Sequence, residues 1–431
     1  MTLFIKNGHV LDPATGTDEE IDILIEDGII SKRGKKLKCE ADRIVDAKGC
    51  YVMPGFIDLH VHLRDPGLEE KETVETGVKA AARGGYTTIL AMPNTKPVVD
   101  NADVVDYVQN KGKNLGMTHV LQVGAVTKGQ KGDELSDIRG MAEAGSPAIS
   151  EDGKSVMNAK LYREAMKIAA ECKMPVLAHC EDINLVNGGV VNADEITKKQ
   201  GLKGITNSVE DVIIARDIIL AKETGARLHL CHCSTKDSVK MVKQAKEEGI
   251  LVTAEVCPHH FTLTTEDLVA EDANYKMNPP LRTKEDVEAL RQGLKENIMD
   301  VIATDHAPHT RLEKKQPIEK APFGIVGLET AAALTYTELV KKDYLTPMQM
   351  AEKMSYNPAQ VIGSDRGSLE KGKPADIVIF DPEKTYQIDA SKFASKGKNT
   401  PFDGRTVTGE VKMTICDGKI IYENEVTGEA K

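Results

Sequence analysis

The chain has 431 residues, 40% of them hydrophobic and 29% charged, which excludes a disordered polymer and suits one large barrel-sized domain plus a smaller unit. Its 56 lysines and arginines against 67 aspartates and glutamates leave a net charge of −11, which argues against a nucleic-acid or anionic-membrane surface. No apolar run reaches the ~18 residues of a bilayer span, residues 1–10 lack the apolar core of a secretory signal, and eight cysteines in a chain this long do not read as a disulfide framework. The cytoplasm is the expected compartment.

Residues 1–54 carry short alternating runs, Leu3–Lys6, Ile21–Glu26 and Arg43–Asp46, broken by Asn7-Gly8 and Asp27-Gly28, dipeptides that suit hairpin turns. From Gly55 the pattern changes. Eight apolar, β-branched runs follow: Gly55–His62, Thr87–Asn94, His119–Val126, Ser146–Ser150, Pro175–Cys180, Arg227–Cys233, Leu251–Cys257 and Asp300–Asp305. Between them, stretches such as Glu72–Arg83, Lys160–Cys172, Asp211–Thr224, Ser238–Glu248 and Lys284–Asn297 space apolar residues three and four apart on a charged background, the helical signature. Strands alternating with helices eight times predict an α/β fold, a parallel (β/α)8 TIM barrel over residues 55–358, with a doubly wound sheet as the structural alternative. Residues 359–431 return to short strands, Ala375–Phe380, Val411–Cys416 and Lys419–Tyr422, with an Asp417-Gly418 turn. Neither end can bury much core alone, so residues 1–54 and 359–431 are expected to pair into a composite β-sandwich.

The most telling residues are His60 and His62. On a strand their side chains project together with Asp58, opposite Leu59 and Val61, and two imidazoles on a rigid element suit a metal ion. In such barrels the chemistry sits at the C-terminal ends of the strands. Asp152 follows the fourth run, His179 ends the fifth, His232 the sixth and Asp305 the eighth. Four histidines and two aspartates on one rim predict a two-metal site, for which zinc is the best fit and manganese or cobalt could substitute. Taken singly, Asp152 beside Gly153 also reads as a turn residue and Asp305 as a helix N-cap; joint placement carries the case. His229 is out of phase, His119 lies at the wrong strand end, and His259 and His260 read as rim residues outside the ligand set. Cys231 and Cys233, on the face opposite His232, read as small buried hydrophobes.

These motifs resemble a known family. Asp58-Leu59-His60-Val61-His62-Leu63-Arg64-Asp65-Pro66-Gly67 and Ala303-Thr304-Asp305-His306-Ala307-Pro308-His309, with Lys314 five residues on, are similar to the two signatures of dihydroorotases of the long bacterial type, class I, in the metallo-dependent amidohydrolase superfamily. So are Ala91–Thr95, Lys276–Arg282, Ala321–Gly324 and Lys396–Phe402. The resemblance implies two zinc ions, His60, His62 and Asp305 on the more buried one, His179 and His232 on the second, and Asp152 as bridge. Glu151 is a weaker rival ligand, and Lys154, where a carbamate would be conceivable, reads better as a solvated lysine. The resemblance further gives Arg64, Asn94 and His309 to the substrate carboxylate, Asn278 and the backbone at Phe323 and Gly324 to the ring amides, and Asp305 to proton transfer. An arginine fork fits a planar carboxylate, although an ion pair of Arg64 with Asp65 or Glu69 is the structural alternative.

The implied reaction is reversible closure of N-carbamoyl-L-aspartate to L-dihydroorotate in pyrimidine biosynthesis. The alternatives are another cyclic amidase, hydantoinase- or allantoinase-like, and a non-catalytic partner of aspartate transcarbamoylase. Expected partners are the small-molecule substrate, a second copy of the chain as a homodimer, and aspartate transcarbamoylase. The charged residues 306–320 are expected to form a lid.

Overall fold

The computed structural model describes residues 2–424, and its strands divide where the hydropathy pattern changes. All eight expected runs contain strands, shorter than their apolar stretches: Phe56–Val61, Tyr86–Ala91, His119–Gln122 with Gly124–Ala125, Ile149–Ser150, Val176–Ala178, Leu228–Leu230, Val252–Val256 and Val301–Ile302. The first three pair in parallel in chain order. The segments from Gly124–Ala125 to Val301–Ile302 form a second parallel sheet, again in chain order. Val123 alone separates the two halves of the third run. At the far side Val61 bridges His306 in parallel, and the His62 N–H donates to the His306 carbonyl at 2.8 Å. The architecture is α/β with parallel sheets.

The intervening helices start where side chains can cap them. Thr73 accepts from the Thr76 N–H and Thr76 returns a bond to the Thr73 backbone, opening Val74–Arg83; Thr283 and Asp286 open Lys284–Lys295 in the same way. Val74, Val78 and Ala81, spaced by four and three, are buried. With Phe56, Ile89 and Leu290 they belong to one large apolar cluster, in which each large side chain contributes roughly 1.5–3 kcal/mol. A separate cluster takes Ile57, Leu59, Leu90, Val123, Leu177 and Val301 from five of the eight runs. Val61 does not follow Leu59 into it, as alternation predicts, but enters the first cluster, because the register of this strand shifts between Asp58 and Val61.

The two ends of the chain meet in a single eight-stranded sheet, ordered Lys419–Glu423, Thr406–Cys416, Ile377–Gln387, Tyr51–Pro54, Thr2–Asp12, Thr17–Glu26 and Ile29–Gly34, with Arg43–Asp46 also on Thr2–Asp12. Within it, hydrogen bonding is continuous from one end of the chain to the other. The reason lies in Thr2–Asp12, whose Leu3–Lys6 pairs with Arg43–Asp46 while His9 and Val10 pair with Tyr51 and Val52, so one long strand serves two parallel neighbours. Asn7-Gly8 is correspondingly a bulge, not a turn: Asn7 takes φ 60°, pairing skips from Ile5 to Gly8, and a Cβ on Gly8 would lie 2.4 Å from Val52 Cγ2. Asp27-Gly28 and Asp417-Gly418 are turns as expected, with positive φ at both residues of each. Ile5, Val10, Ile23, Val52, Ile377 and Ile415 share the core of this sheet.

Candidate metal centre

His60, His62, Asp152, His179, His232 and Asp305 converge, all of them buried. His60 Nε2 lies 3.0 Å from Asp152 Oδ1 and 3.6 Å from Asp305 Oδ1; His62 Nε2 lies 3.2 Å from Asp305 Oδ1 and 3.5 Å from Asp152 Oδ2. His179 Nδ1 stands 2.9 Å from His232 Nε2 and 3.5 Å from Asp152 Oδ1, with His232 Nε2 4.0 Å from the same oxygen. Two donors sharing a tetrahedral zinc at ~2.1 Å sit about 3.4 Å apart, so this spacing fits common metal ions. His60 Nε2 is buried and makes no hydrogen bond despite its closeness to Asp152. The ligand atoms of His60, His62 and Asp305 fall into one possible metal-binding group and those of His60, Asp152 and His232 into another. The donor set fits zinc.

The outer ring nitrogens of three of the four histidines are held as metal-binding histidines require, while that of His232 is buried without a partner. His60 Nδ1 faces Glu255 Oε1 at 3.2 Å, His62 Nδ1 faces Asn94 Oδ1 at 2.9 Å, and His179 Nε2 faces Glu181 Oε2 at 3.1 Å. Glu255 also accepts from the His232 N–H and pairs with His229 Nε2 at 2.9 Å. Burial alone would raise the Glu255 carboxyl; the hydrogen bonds from His229 and His60 hold it at about 2. Asp58 staples the first strand to the eighth, accepting from the Thr304 N–H at 3.1 Å and hydroxyl at 2.6 Å, and burial raises its carboxyl to about 7. Burial likewise pushes Asp305 up, but the His62 contact and the His60 charge outweigh it and keep Asp305 well below the usual carboxylate range.

Three of these residues leave ordinary backbone geometry. Arg64 has φ 60°, His232 φ 34° and Asp305 φ 48°, left-handed conformations that non-glycine residues adopt at a cost of ~1–3 kcal/mol and that concentrate at functional sites. His232 thereby breaks strand alternation beyond Leu230. Cys231 and Cys233 consequently do not share a face: Cys231 approaches His60 and Glu255, while Cys233 joins the large outer cluster.

One cavity of about 200 Å³ is lined by His62, Asn94, Asp152, His179, His232 and Asp305 at its metal end and by Arg64, Asn278, His309, Phe323 and Gly324 at the other. Arg64 donates from Nε to the Pro308 carbonyl at 3.2 Å and lies 3.5 Å from His309, and no carboxylate pairs with it among the described residues. Asp65 is taken by Lys111 at 2.7 Å and Glu69 by the Gly67 N–H, which removes the ion-pair alternative. Burial and the Arg64 charge push the His309 ring well below the usual histidine range, and its Nε2 meets the Phe323 carbonyl at 2.8 Å.

A family model described as "Dihydro-orotase-like" matches residues 49–238. The dihydroorotase of Pelotomaculum thermopropionicum is 49% identical over 99% of this chain and all of its own length, and that of Bacillus pumilus 48% over 98% and 99%. The chain belongs to the dihydroorotase family. It thus joins the enzymes that hydrolyse cyclic amides, and a solved L-hydantoinase from Arthrobacter aurescens superimposes with a TM-score of 0.86 at 29% identity, covering 99% of this chain and 97% of that one. A dihydropyrimidinase from Brevibacillus agri shares the fold, with a TM-score of 0.83 at 24% identity.

Against the dihydroorotase pattern, some expected contacts are redirected. Asn94, assigned by resemblance to the carboxylate, bonds His62 through Oδ1 and donates to Asp152 Oδ2 at 3.1 Å. Asn278 donates to Glu181 at 3.0 Å. Gly324, expected to offer backbone to the ring, spends its N–H on the Lys276 carbonyl at 3.0 Å. Glu151 does not reach the cluster; it accepts from the Val126 and Thr127 N–H groups, and Lys154 donates to the Gln130 carbonyl. His229 braces Glu255, His119 lies 3.0 Å from Asp417, and His259 and His260 group with Cys257. Glu255, Glu181 and Asp58 were not anticipated as supports. A lone glutamate inside Val252-Thr253-Ala254-Glu255-Val256 was a legible signal for the first.

Proposed function

We propose that this chain catalyses the reversible, zinc-dependent interconversion of N-carbamoyl-L-aspartate and L-dihydroorotate, on a (β/α)8 barrel of residues 55–358 flanked by a β-domain assembled from residues 1–54 and 359–431. The Val61–His306 bridge and the single residue between the two halves of the third run support closure of the sheets into a ring. Two zinc ions are proposed, one on His60, His62 and Asp305, the other on His179 and His232, with Asp152 between them. Ions bound there would supply Lewis acidity, polarising a ring carbonyl and bringing the pKa of water toward about 7.

The single observation that carries the substrate reading is Arg64. A guanidinium with 8% exposure, without an anionic partner among the described residues and opening into the same cavity as the candidate ligands, calls for an anion that arrives with the ligand. L-dihydroorotate brings a carboxylate to that end and a cyclic amide to the other. In the hydrolytic direction water adds to the ring carbonyl, the ring C–N bond breaks, and Asp305 takes the proton from water and delivers it to the departing nitrogen. Asn94 and Glu255 hold the histidine rings in the required tautomers.

Metal-replete purified protein should interconvert the two compounds and lose that activity on chelation. The likeness to L-hydantoinase favours a second reading, turnover of carboxylate-free rings. A kcat/KM for hydantoin above that for L-dihydroorotate would install it instead.

A further inference from the structure

The segment 393–402 returns from the β-domain and crosses behind the substrate end of the cavity. Its approach is fixed by two buried carboxylates. Glu329 accepts from the N–H groups of Ala394 at 2.9 Å and Ser395 at 3.1 Å, and Glu72 accepts from the Lys396 N–H at 3.2 Å and from the Ser395 hydroxyl. Asn399, 4% exposed, then reaches the cavity wall. Its Oδ1 accepts from the His309 N–H at 3.0 Å, and its Nδ2 donates to the carbonyls of Ala307 and Gly324, each at 3.0 Å.

Lys314 converges on the same atom. Its Nζ donates to the Gly324 carbonyl at 2.9 Å, to Pro322 at 3.1 Å and to Lys276 at 3.3 Å, with no carboxylate paired to it among the described residues. Only glycine fits this stretch of wall: Gly324 sits at φ 120°, and a Cβ there would lie 2.6 Å from that of Ala307 and 3.3 Å from His309 Nε2. Two side chains distant in sequence therefore spend their hydrogen bonds on one short stretch of wall.

We propose that Asn399 and Lys314 are positioning residues that set the substrate-carboxylate end of the cavity, acting through the Gly324 carbonyl and the His309 backbone. The proposal rests on the L-dihydroorotate reading above. Removing either residue leaves buried carbonyls or N–H groups unpaired, and the wall relaxes to recover partners. A shift of about 1 Å at a binding group is enough to lose much of its benefit. Because neither side chain touches the metal end, the loss falls on the grip of the carboxylate.

The test compares Asn399→Ala, Lys314→Met and Lys314→Arg in the full-length, metal-replete protein, using L-dihydroorotate and dihydrouracil, the same ring without a carboxylate. Asn399→Ala and Lys314→Met are expected to raise KM for L-dihydroorotate tenfold or more with kcat within about threefold. The preference for L-dihydroorotate over dihydrouracil should fall by a similar factor, metal content should stay the same, and Lys314→Arg should recover part of the loss. Variants that melt earlier yet keep KM and preference would overturn the proposal, as would an equal loss on both rings. Should Asn399→Ala not fold, Lys314→Met decides on the same readouts. Wild-type protein inert toward L-dihydroorotate would instead refute the substrate reading on which the proposal stands.

Discussion

At one end of the site, the candidate metal centre, His60, His62, Asp152, His179, His232 and Asp305 lie within or up to three residues beyond parallel strands, so sheet register brings them together. At the other, Arg64, Asn278, His309, Phe323 and Gly324 stand further out on connecting segments, positioned by Asn399, Lys314 and an unusual backbone angle at Arg64. A site can thus combine a rigid half, inherited from the sheets, with a half braced by individual side chains. The first half suits chemistry that tolerates no misplacement; the second is where preference for one ring over another is set.

Breaking the metal end should cost most. Asp305→Asn is expected to lower kcat by ~10²–10⁴-fold with a much smaller change in KM, measured on metal-loaded protein. Arg64→Met should do the reverse, raising KM for L-dihydroorotate about 10–100-fold, since a hydrogen bond to a charged group is worth roughly 1.5–3 kcal/mol, while leaving metal content intact. If both substitutions moved kcat and KM alike, the division into two halves would be wrong. Glu255→Gln keeps its shape but weakens the support of His60; metal affinity should fall ~10-fold or more, read by competition with a chelator.

Away from catalysis, Lys314 should also show in the pH dependence of stability. Burial, followed by the Lys276 charge, lowers its ammonium to about 7, with Asp272 and Glu313 acting the other way. Folding therefore releases its proton between that value and the ordinary lysine pKa near 10.5, and stability should rise with pH through this window. Below pH 7 the whole cost of burying the charge is present. Relative to wild type, Lys314→Met should flatten that slope by roughly 1 kcal/mol per pH unit, measured by denaturant unfolding at pH 7 and 10. An unchanged slope would show that the three carbonyls around the ammonium cancel its burial.

This division also explains what could be read from the chain alone. Strand-end residues follow from period and spacing, so all six candidate ligands were recognisable before any coordinates. Parity failed where the backbone departs from the strand: at His232, whose left-handed angle separates Cys231 from Cys233, and between Asp58 and Val61, where the register shifts. The bracing of Gly324 by Asn399 was illegible because 75 residues separate them. The way the two chain ends join was illegible for a related reason: nothing local in Thr2–Asp12 announces that one strand will serve two neighbours.

Tyr51–Pro54 pairs on one side with Thr2–Asp12 and on the other with Ile377–Phe380, and runs through Gly55 directly into the first parallel strand. During synthesis its second edge must wait until the chain has grown to Ile377, on the order of tens of seconds at ~5–20 residues per second. Throughout that interval the nascent protein carries an unsatisfied β-edge beside an apolar face, the kind of surface that recruits chaperones or a second nascent chain. Yield in a host should accordingly depend on elongation speed and chaperone supply more steeply than the stability of the finished enzyme would suggest.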